Sequence, residues 1–228
     1  MTQPDNAAHL GPHAPVTAPA NAAAVDRPLD TARVRAVVFD LGNVLVDLDP
    51  AAYGKTWPAA LAAELAGRIS PSEFATWERE RRLFYAYETG RIDTIAFVDA
   101  LSTLLALPPK RIVDYWNSVL LDVPLRRLTC LPVLRERYPL YVLSNTNELH
   151  IAWVRRHLAT KGVRDFERRY FTEVFYSYEL GAAKPEPEIY AAAEARIGIT
   201  PEHLLFLDDR IENVAAAQAR GWQAVWVR

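Results

Sequence analysis

Cysteine is almost absent from this chain of 228 residues, with Cys130 its single example. No intrachain disulfide can form, which fits a reducing cytosol. Charge of one sign is not in excess either. Lys and Arg number 26 and Asp and Glu 28, for a net charge of −2. A balance so near zero argues against nucleic acid or an anionic membrane surface as the main partner. No run of 18 apolar residues occurs, which excludes a membrane-spanning helix.

Residues 1–32 lack aromatic residues and hydrophobic periodicity. They hold five of the 16 prolines and nine alanines, and the first Lys or Arg is Arg27. A secretory signal needs an early basic patch before an apolar core, and a transit peptide is rich in Arg. Neither pattern is met. The segment reads as a disordered extension that buries too little to offset its ordering entropy.

The rest of the chain is half apolar in the manner of a protein able to bury a core. Short apolar, β-branched runs at 34–39, 140–143, 174–176, 204–207 and 224–227 read as strands buried on both faces. Helical patterns over 147–160, 186–197 and 211–220 separate the last four. The second of these is opened by Pro185 and Pro187, and the third is stopped by Gly221. This alternation predicts an α/β fold with a Rossmann-like parallel sheet core and helices on both faces.

Between Asp40 and Leu140 no convincing strand is visible. Helical stretches are expected near 51–66, 72–88, 94–106, 109–121 and 125–137, with Asp93 as an N-cap and Pro108-Pro109 as a break. The organisation expected is therefore a core of residues 33–50 and 126–228, interrupted by an all-helical cap over 51–125.

The strands end in polar residues. The first runs into Asp40, the second into Ser144-Asn145 and the fourth into Asp208-Asp209, while Lys184 follows the third. Ligands of open parallel sheets bind beyond the carboxyl ends of the strands, so these groups should converge. Converging carboxylates need a cation, and oxygen-only ligands suit a hard ion such as Mg²⁺. Zinc is disfavoured, because Cys130 is isolated and the five histidines do not cluster. Ser144 and Asn145 at a helix start offer hydroxyl, amide and backbone N–H donors to a phosphate, and Lys184 adds a positive charge. Together these groups point to phosphoryl transfer with an aspartate as covalent nucleophile.

Four motifs carry a family resemblance: Val37-Val38-Phe39-Asp40-Leu41-Gly42-Asn43-Val44, Val142-Leu143-Ser144-Asn145, Lys184-Pro185 and Phe206-Leu207-Asp208-Asp209. In this order, and over residues 33–228, the chain resembles the haloacid dehalogenase-like hydrolase superfamily. Finer features resemble the branch containing a bacterial α-D-glucose-1-phosphate phosphatase: Ser144-Asn145-Thr146-Asn147 with His150, Asn213 after the acidic pair, and Tyr87-Glu88-Thr89-Gly90-Arg91-Ile92 ahead of Phe97.

The resemblance implies a Mg²⁺-dependent phosphatase acting on a small phosphorylated metabolite, a sugar phosphate. Asp40 would attack phosphorus and form an aspartyl phosphate. Asp40, Asp209 and the carbonyl of Gly42 would ligate the metal, with Asp208 bound directly or through water. Asn43, Ser144, Asn145 and Lys184 would hold the substrate's phosphate, and Asn213 would orient Asp209 or a metal-bound water.

One departure matters. Most phosphatases of the superfamily carry a second aspartate two residues after the nucleophile, where this chain has Gly42. That aspartate protonates the leaving oxygen, and general acid–base catalysis is worth about 10²–10⁴-fold. Another group, such as Asp47 or a metal-bound water, could replace it, or the leaving group could need little protonation, as an anomeric hydroxyl does.

Two rival functions remain. A metal-independent 2-haloacid dehalogenase uses the same aspartate and also lacks the second one, although Asp208-Asp209 speaks against it. The other rival is a binding descendant that has lost turnover. His150 and His157, seven residues apart on one helix face, read as solvated or satisfied side chains rather than ligands, and the cap aromatics Trp57, Trp77, Phe84, Tyr85 and Trp116 read as packing.

Overall fold

A computed structural model describes residues 28–49 and 69–228. Residues 1–27 of the expected extension and the helix expected near 51–66 lie outside the described residues.

Five parallel strands form the main sheet: β1 (Ala36–Phe39), β4 (Leu140–Ser144), β5 (Glu173–Tyr176), β6 (Leu204–Asp208) and β7 (Gln223–Trp226). Their order is β5-β4-β1-β6-β7. Every residue of β1 is buried, as both faces of a covered parallel sheet require. Val37 and Phe39 pack on one face with Ile151, Val154 and Leu158 of α7 (Glu148–Thr160). Ala36 and Val38 pack on the other with Ile189, Tyr190 and Ala193 of α10 (Pro187–Ile197) and Val214 of α11 (Ile211–Ala219). Two short helices, α8 (Phe166–Tyr170) and α9 (Ser177–Leu180), flank β5.

The order places a topological switch at β1. From there the chain builds outward through β4 and β5 on one side and through β6 and β7 on the other. The crevice at the carboxyl end of β1 is thus flanked by the ends of β4 and β6, the usual ligand position in such sheets.

The described part of the insertion comprises α1 (Pro71–Arg81), α2 (Leu83–Glu88), α3 (Thr94–Leu105) and α4 (Pro109–Asn117). Asp93 caps α3 as expected, its carboxylate accepting from the Ala96 N–H at 2.8 Å. Tyr87, Phe97, Leu101, Leu105 and Ile112 form a core of the cap's own, with Trp116 packed against it.

Three local expectations need correction. The helix expected over 72–88 breaks at Arg82, which adopts a left-handed conformation (φ 49°). The Glu78 carboxylate accepts from the exposed N–H groups of Leu83 and Phe84 at 3.1 Å, satisfying the start of α2. The helix expected over 109–121 stops at Asn117, and Leu120–Asp122 forms β3, antiparallel to β2 (Asp47–Leu48). The helix expected over 125–137 is two short ones, α5 (Leu125–Leu128) and α6 (Leu131–Arg135). The β2–β3 ribbon is where the chain leaves the sheet for the cap and returns from it.

Candidate active site

The polar strand ends meet. Asp40 follows β1 directly, and its N–H still bonds the Leu207 carbonyl of β6 at 2.8 Å, so the ladder fixes its position. Asp208 closes β6, and Asp209 is the next residue. One carboxylate oxygen from each of Asp40, Asp208 and Asp209 lies within 4.8 Å of the others.

Lys184 is the hub of the site. Its Nζ lies 2.7 Å from Asp40 Oδ1 and 2.7 Å from Asp208 Oδ2, and it donates to the Leu143 carbonyl at 2.8 Å. An ammonium has three protons, and all three are engaged. Its side chain is 1% exposed. The loop that delivers it has a cis peptide between Lys184 and Pro185.

Asp208 is completely buried and fully partnered. Asn213 Nδ2 donates to both its oxygens at 3.0 Å, and the Arg210 N–H donates at 2.8 Å. Asp209 is more open, and its Oδ2 accepts from Asn43 Nδ2 at 2.8 Å. Asn43 sits at φ 52° in the turn after β1, and its Oδ1 accepts from the Leu48 N–H at 3.2 Å. Gly42 belongs to that same turn, which the Asn43 N–H closes onto the Val46 carbonyl at 2.7 Å. Ser144 ends β4 and is buried. The Asn145 side chain is committed to the main chain of Lys184 through two hydrogen bonds. Asp40, Gly42, Asn43, Ser144, Asn145, Lys184, Asp208, Asp209 and Asn213 therefore sit at one edge of the sheet, but the amides of Asn43 and Asn145 hold neighbouring protein groups. Asp47, one candidate replacement acid, is ion-paired to Arg127 at 2.5 Å.

The electrostatics are strained. Burial pushes the Asp40 carboxyl up to about 7; Lys184 opposes this, while Asp208 and Asp209 reinforce it. Asp209 is also raised, first by burial. Burial alone would lower Lys184, but Asp208 and Asp40 outweigh it and hold the ammonium above its ordinary range. Three carboxylates face one ammonium, so a second cation would relieve the excess. The donors are all oxygen, and Asn213 Oδ1 is buried without a hydrogen-bond partner among the described residues. This arrangement fits a hard divalent ion.

The cap closes over this edge through contacts that sequence patterns did not reveal. Tyr85 of α2 donates its hydroxyl to Glu186 Oε1 at 2.7 Å, and Glu186 Oε2 accepts the Ala183 N–H beside Lys184 at 3.0 Å. Thr94 Oγ1 donates to Glu148 at 2.5 Å. Trp116 Nε1 donates to Asn147 Oδ1 at 3.1 Å. His150 stacks on Trp116, with ring centroids 5.3 Å apart, and bonds the Trp116 carbonyl through Nε2 at 3.1 Å. His150 Nδ1 lies 3.2 Å from Asn147 Nδ2, which assigns the proton to Nε2 of a neutral ring. Burial lowers its pKa to about 4. His157 bonds Asp122 at 2.6 Å and stacks on Trp153. Both histidines have protein partners, the second of the two readings their sequence left open. The one sequence signal for the Tyr85 tie was an acidic residue, Glu186, lodged between two prolines.

The model of the haloacid dehalogenase-like hydrolases matches residues 34–221. The chain is 26% identical over 195 residues to a D-ribitol-5-phosphate phosphatase of Bacteroides thetaiotaomicron, a match covering 83% of this chain and 90% of that protein. The fold is similar to the crystal structure of a HAD family enzyme from the same organism, with a TM-score of 0.74 at 32% identity, covering 86% of this chain and 94% of that one. Another structure from that organism, a complex with magnesium and inorganic phosphate, is similar at a TM-score of 0.68 and 29% identity, covering 86% and 94%.

Proposed function

Because the chain belongs to the haloacid dehalogenase-like hydrolases, we propose that it hydrolyses a small phosphorylated metabolite, a sugar phosphate, using Mg²⁺ and an aspartyl-phosphate intermediate. Residues 33–50 and 126–228 serve as the catalytic core and residues 51–125 as the cap. The single observation that carries the reading is the convergence of Asp40, Asp208 and Asp209 around the buried ammonium of Lys184. The ribitol-phosphate phosphatase likeness and the magnesium and phosphate held by a structural relative support it. A cytoplasmic setting belongs to the same reading and rests on the single cysteine.

Mg²⁺ would be held by Asp40 and Asp209, with Asp208 and the Gly42 carbonyl beside them, and when bound it supplies charge that draws the phosphate in and offsets the carboxylates. Asp40 attacks phosphorus through its carboxylate. Lys184 holds that carboxylate in line and neutralises charge on the phosphoryl oxygens. Ser144 donates its hydroxyl to the phosphate. Asn145 fixes the Lys184 main chain, Asn43 steadies Asp209, and Asn213 orients Asp208. The cap excludes water from the crevice.

A screen over sugar phosphates, nucleotides and 2-haloacids, with and without Mg²⁺, tests this. Turnover of a sugar phosphate that EDTA abolishes and Asp40→Asn reduces at least ~10³-fold is expected. EDTA-resistant release of halide from a 2-haloacid would establish the dehalogenase reading instead. Trapping of an aspartyl phosphate without turnover would establish the binding descendant.

A further inference from the structure

Gly42 has no side chain to protonate a leaving group, so hydrolysis of an ordinary alcohol's phosphate calls for an acid from elsewhere. The cap stretch around Glu88 lies over the strand ends, and two contacts made by its neighbours locate it there, with an electrostatic interaction of Glu88 beside them. Tyr85, on the same face of α2 one turn earlier, bonds Glu186 in the loop that delivers Lys184. Gly90, just past α2, meets the short helix α9 that follows β5 so closely that a Cβ would stand 2.1 Å from the Tyr178 carbonyl oxygen. Glu88 itself is within electrostatic reach of Arg210, the residue that follows Asp209. Helix α9 and the loop before α10 thus adjoin the stretch that carries Glu88, and the residue after Asp209 acts on it electrostatically.

We propose that Glu88 is the general acid and base of the reaction, reaching down from the cap to do the work of the side chain missing at Gly42. The inference rests on the phosphatase reading above. As Asp40 bonds to phosphorus, the bond from phosphorus to the leaving oxygen breaks, and that oxygen takes the proton of Glu88. Glu88 is then a carboxylate. It accepts a proton from the water that attacks the aspartyl phosphate, the bond from phosphorus to Asp40 breaks, and Glu88 is protonated again as phosphate departs. The net reaction is phosphate ester plus water giving alcohol plus phosphate.

The surroundings of Glu88 suit both halves. Burial raises its carboxyl to about 7, with Glu78 of α1 adding to the shift and Arg210 opposing it. Near neutral pH both protonation states are populated, the condition under which one group serves as donor and acceptor. Among the described residues its carboxyl has no hydrogen-bond partner, so its proton is not already spent. Glu78, by contrast, is occupied by the N–H groups of Leu83 and Phe84.

The test compares the wild type and Glu88→Gln, with Mg²⁺, on p-nitrophenyl phosphate and on a primary-alcohol phosphate such as glucose 6-phosphate. Nitrophenolate leaves without a proton, and an alkoxide does not. The ratio kcat/KM reports phosphoryl transfer to Asp40, so it should fall about 10²–10⁴-fold for the alcohol ester and little for the aryl ester. The variant should also accumulate aspartyl phosphate, seen as a burst of p-nitrophenol. Glu88→Asp, which keeps the acid one methylene shorter, should retain part of the activity on the alcohol ester. Equal losses on the two substrates in a variant that melts like the wild type would overturn the inference and leave the phosphatase reading intact. A wild type inactive on every phosphate ester would end both.

Discussion

Asn145 and Lys184, 39 residues apart, hold each other by a reciprocal pair of hydrogen bonds. The Lys184 N–H donates to Asn145 Oδ1 at 2.7 Å, and Asn145 Nδ2 donates to the Lys184 carbonyl at 2.8 Å. The end of β4 therefore sets the height of the ammonium above the sheet. Asn145→Ala removes both bonds and should cost about 1–3 kcal/mol in urea unfolding. Its kcat should fall by more than that stability loss suggests, because Lys184 loses its fixed height.

Removing the ammonium has a larger effect. Lys184→Met leaves Asp40 and Asp208 buried with no counter-charge, and breaking such a pair typically costs about 3–5 kcal/mol. Adding Asp40→Asn to that variant removes one of the two stranded charges. The double variant should be more stable than Lys184→Met alone, a non-additivity that a double-mutant cycle in urea measures directly.

Gly90 and Gly162 both have positive φ, at 66° and 78°, but their surroundings differ. A Cβ at Gly90 would strike the Tyr178 carbonyl, whereas one at Gly162 meets nothing within 4 Å among the described residues. Gly162→Ala should cost only the strain of the left-handed backbone, about 1 kcal/mol. Gly90→Ala should lower the melting temperature further and raise KM, since the cap can no longer seat against α9.

Acid should loosen the cap through His150. Its folded pKa of about 4 lies below the ordinary value of 6.5, so between those values the unfolded chain binds more protons. Stability therefore rises with pH across that window and is lost as pH falls through it. His150→Gln should flatten this part of the profile, as chemical denaturation at stepped pH would show.

Much of this was legible in the chain itself. The five strands announced themselves as short β-branched runs, and the residues after Phe39, Leu143 and Leu207 were visibly too polar to continue them. The helix end at Gly221 carried an ordinary stop signal. The break at Arg82 carried none, because a left-handed arginine is held by the Glu78 carboxylate and not by its own propensity. The β2–β3 ribbon was hidden because two or three residues show no periodicity and the partners lie more than 70 positions apart. In the site, residue types were readable but commitments were not. That Asn43 binds Asp209, or that Asn145 binds Lys184, depends on contacts across the sheet that no local pattern encodes.

The ribbon has a consequence for how such a chain can change. Asp47 and Asp122 face each other across it, so the whole stretch between departs and returns through one narrow neck. Residues could be gained or lost beyond that neck while β1 and β4 stay in register, because lengthening a loop with anchored ends costs little. New substrates can be explored by rebuilding the roof while the floor keeps its chemistry, with one constraint: an acid in the roof that takes part in turnover, as proposed for Glu88, would have to survive every renovation.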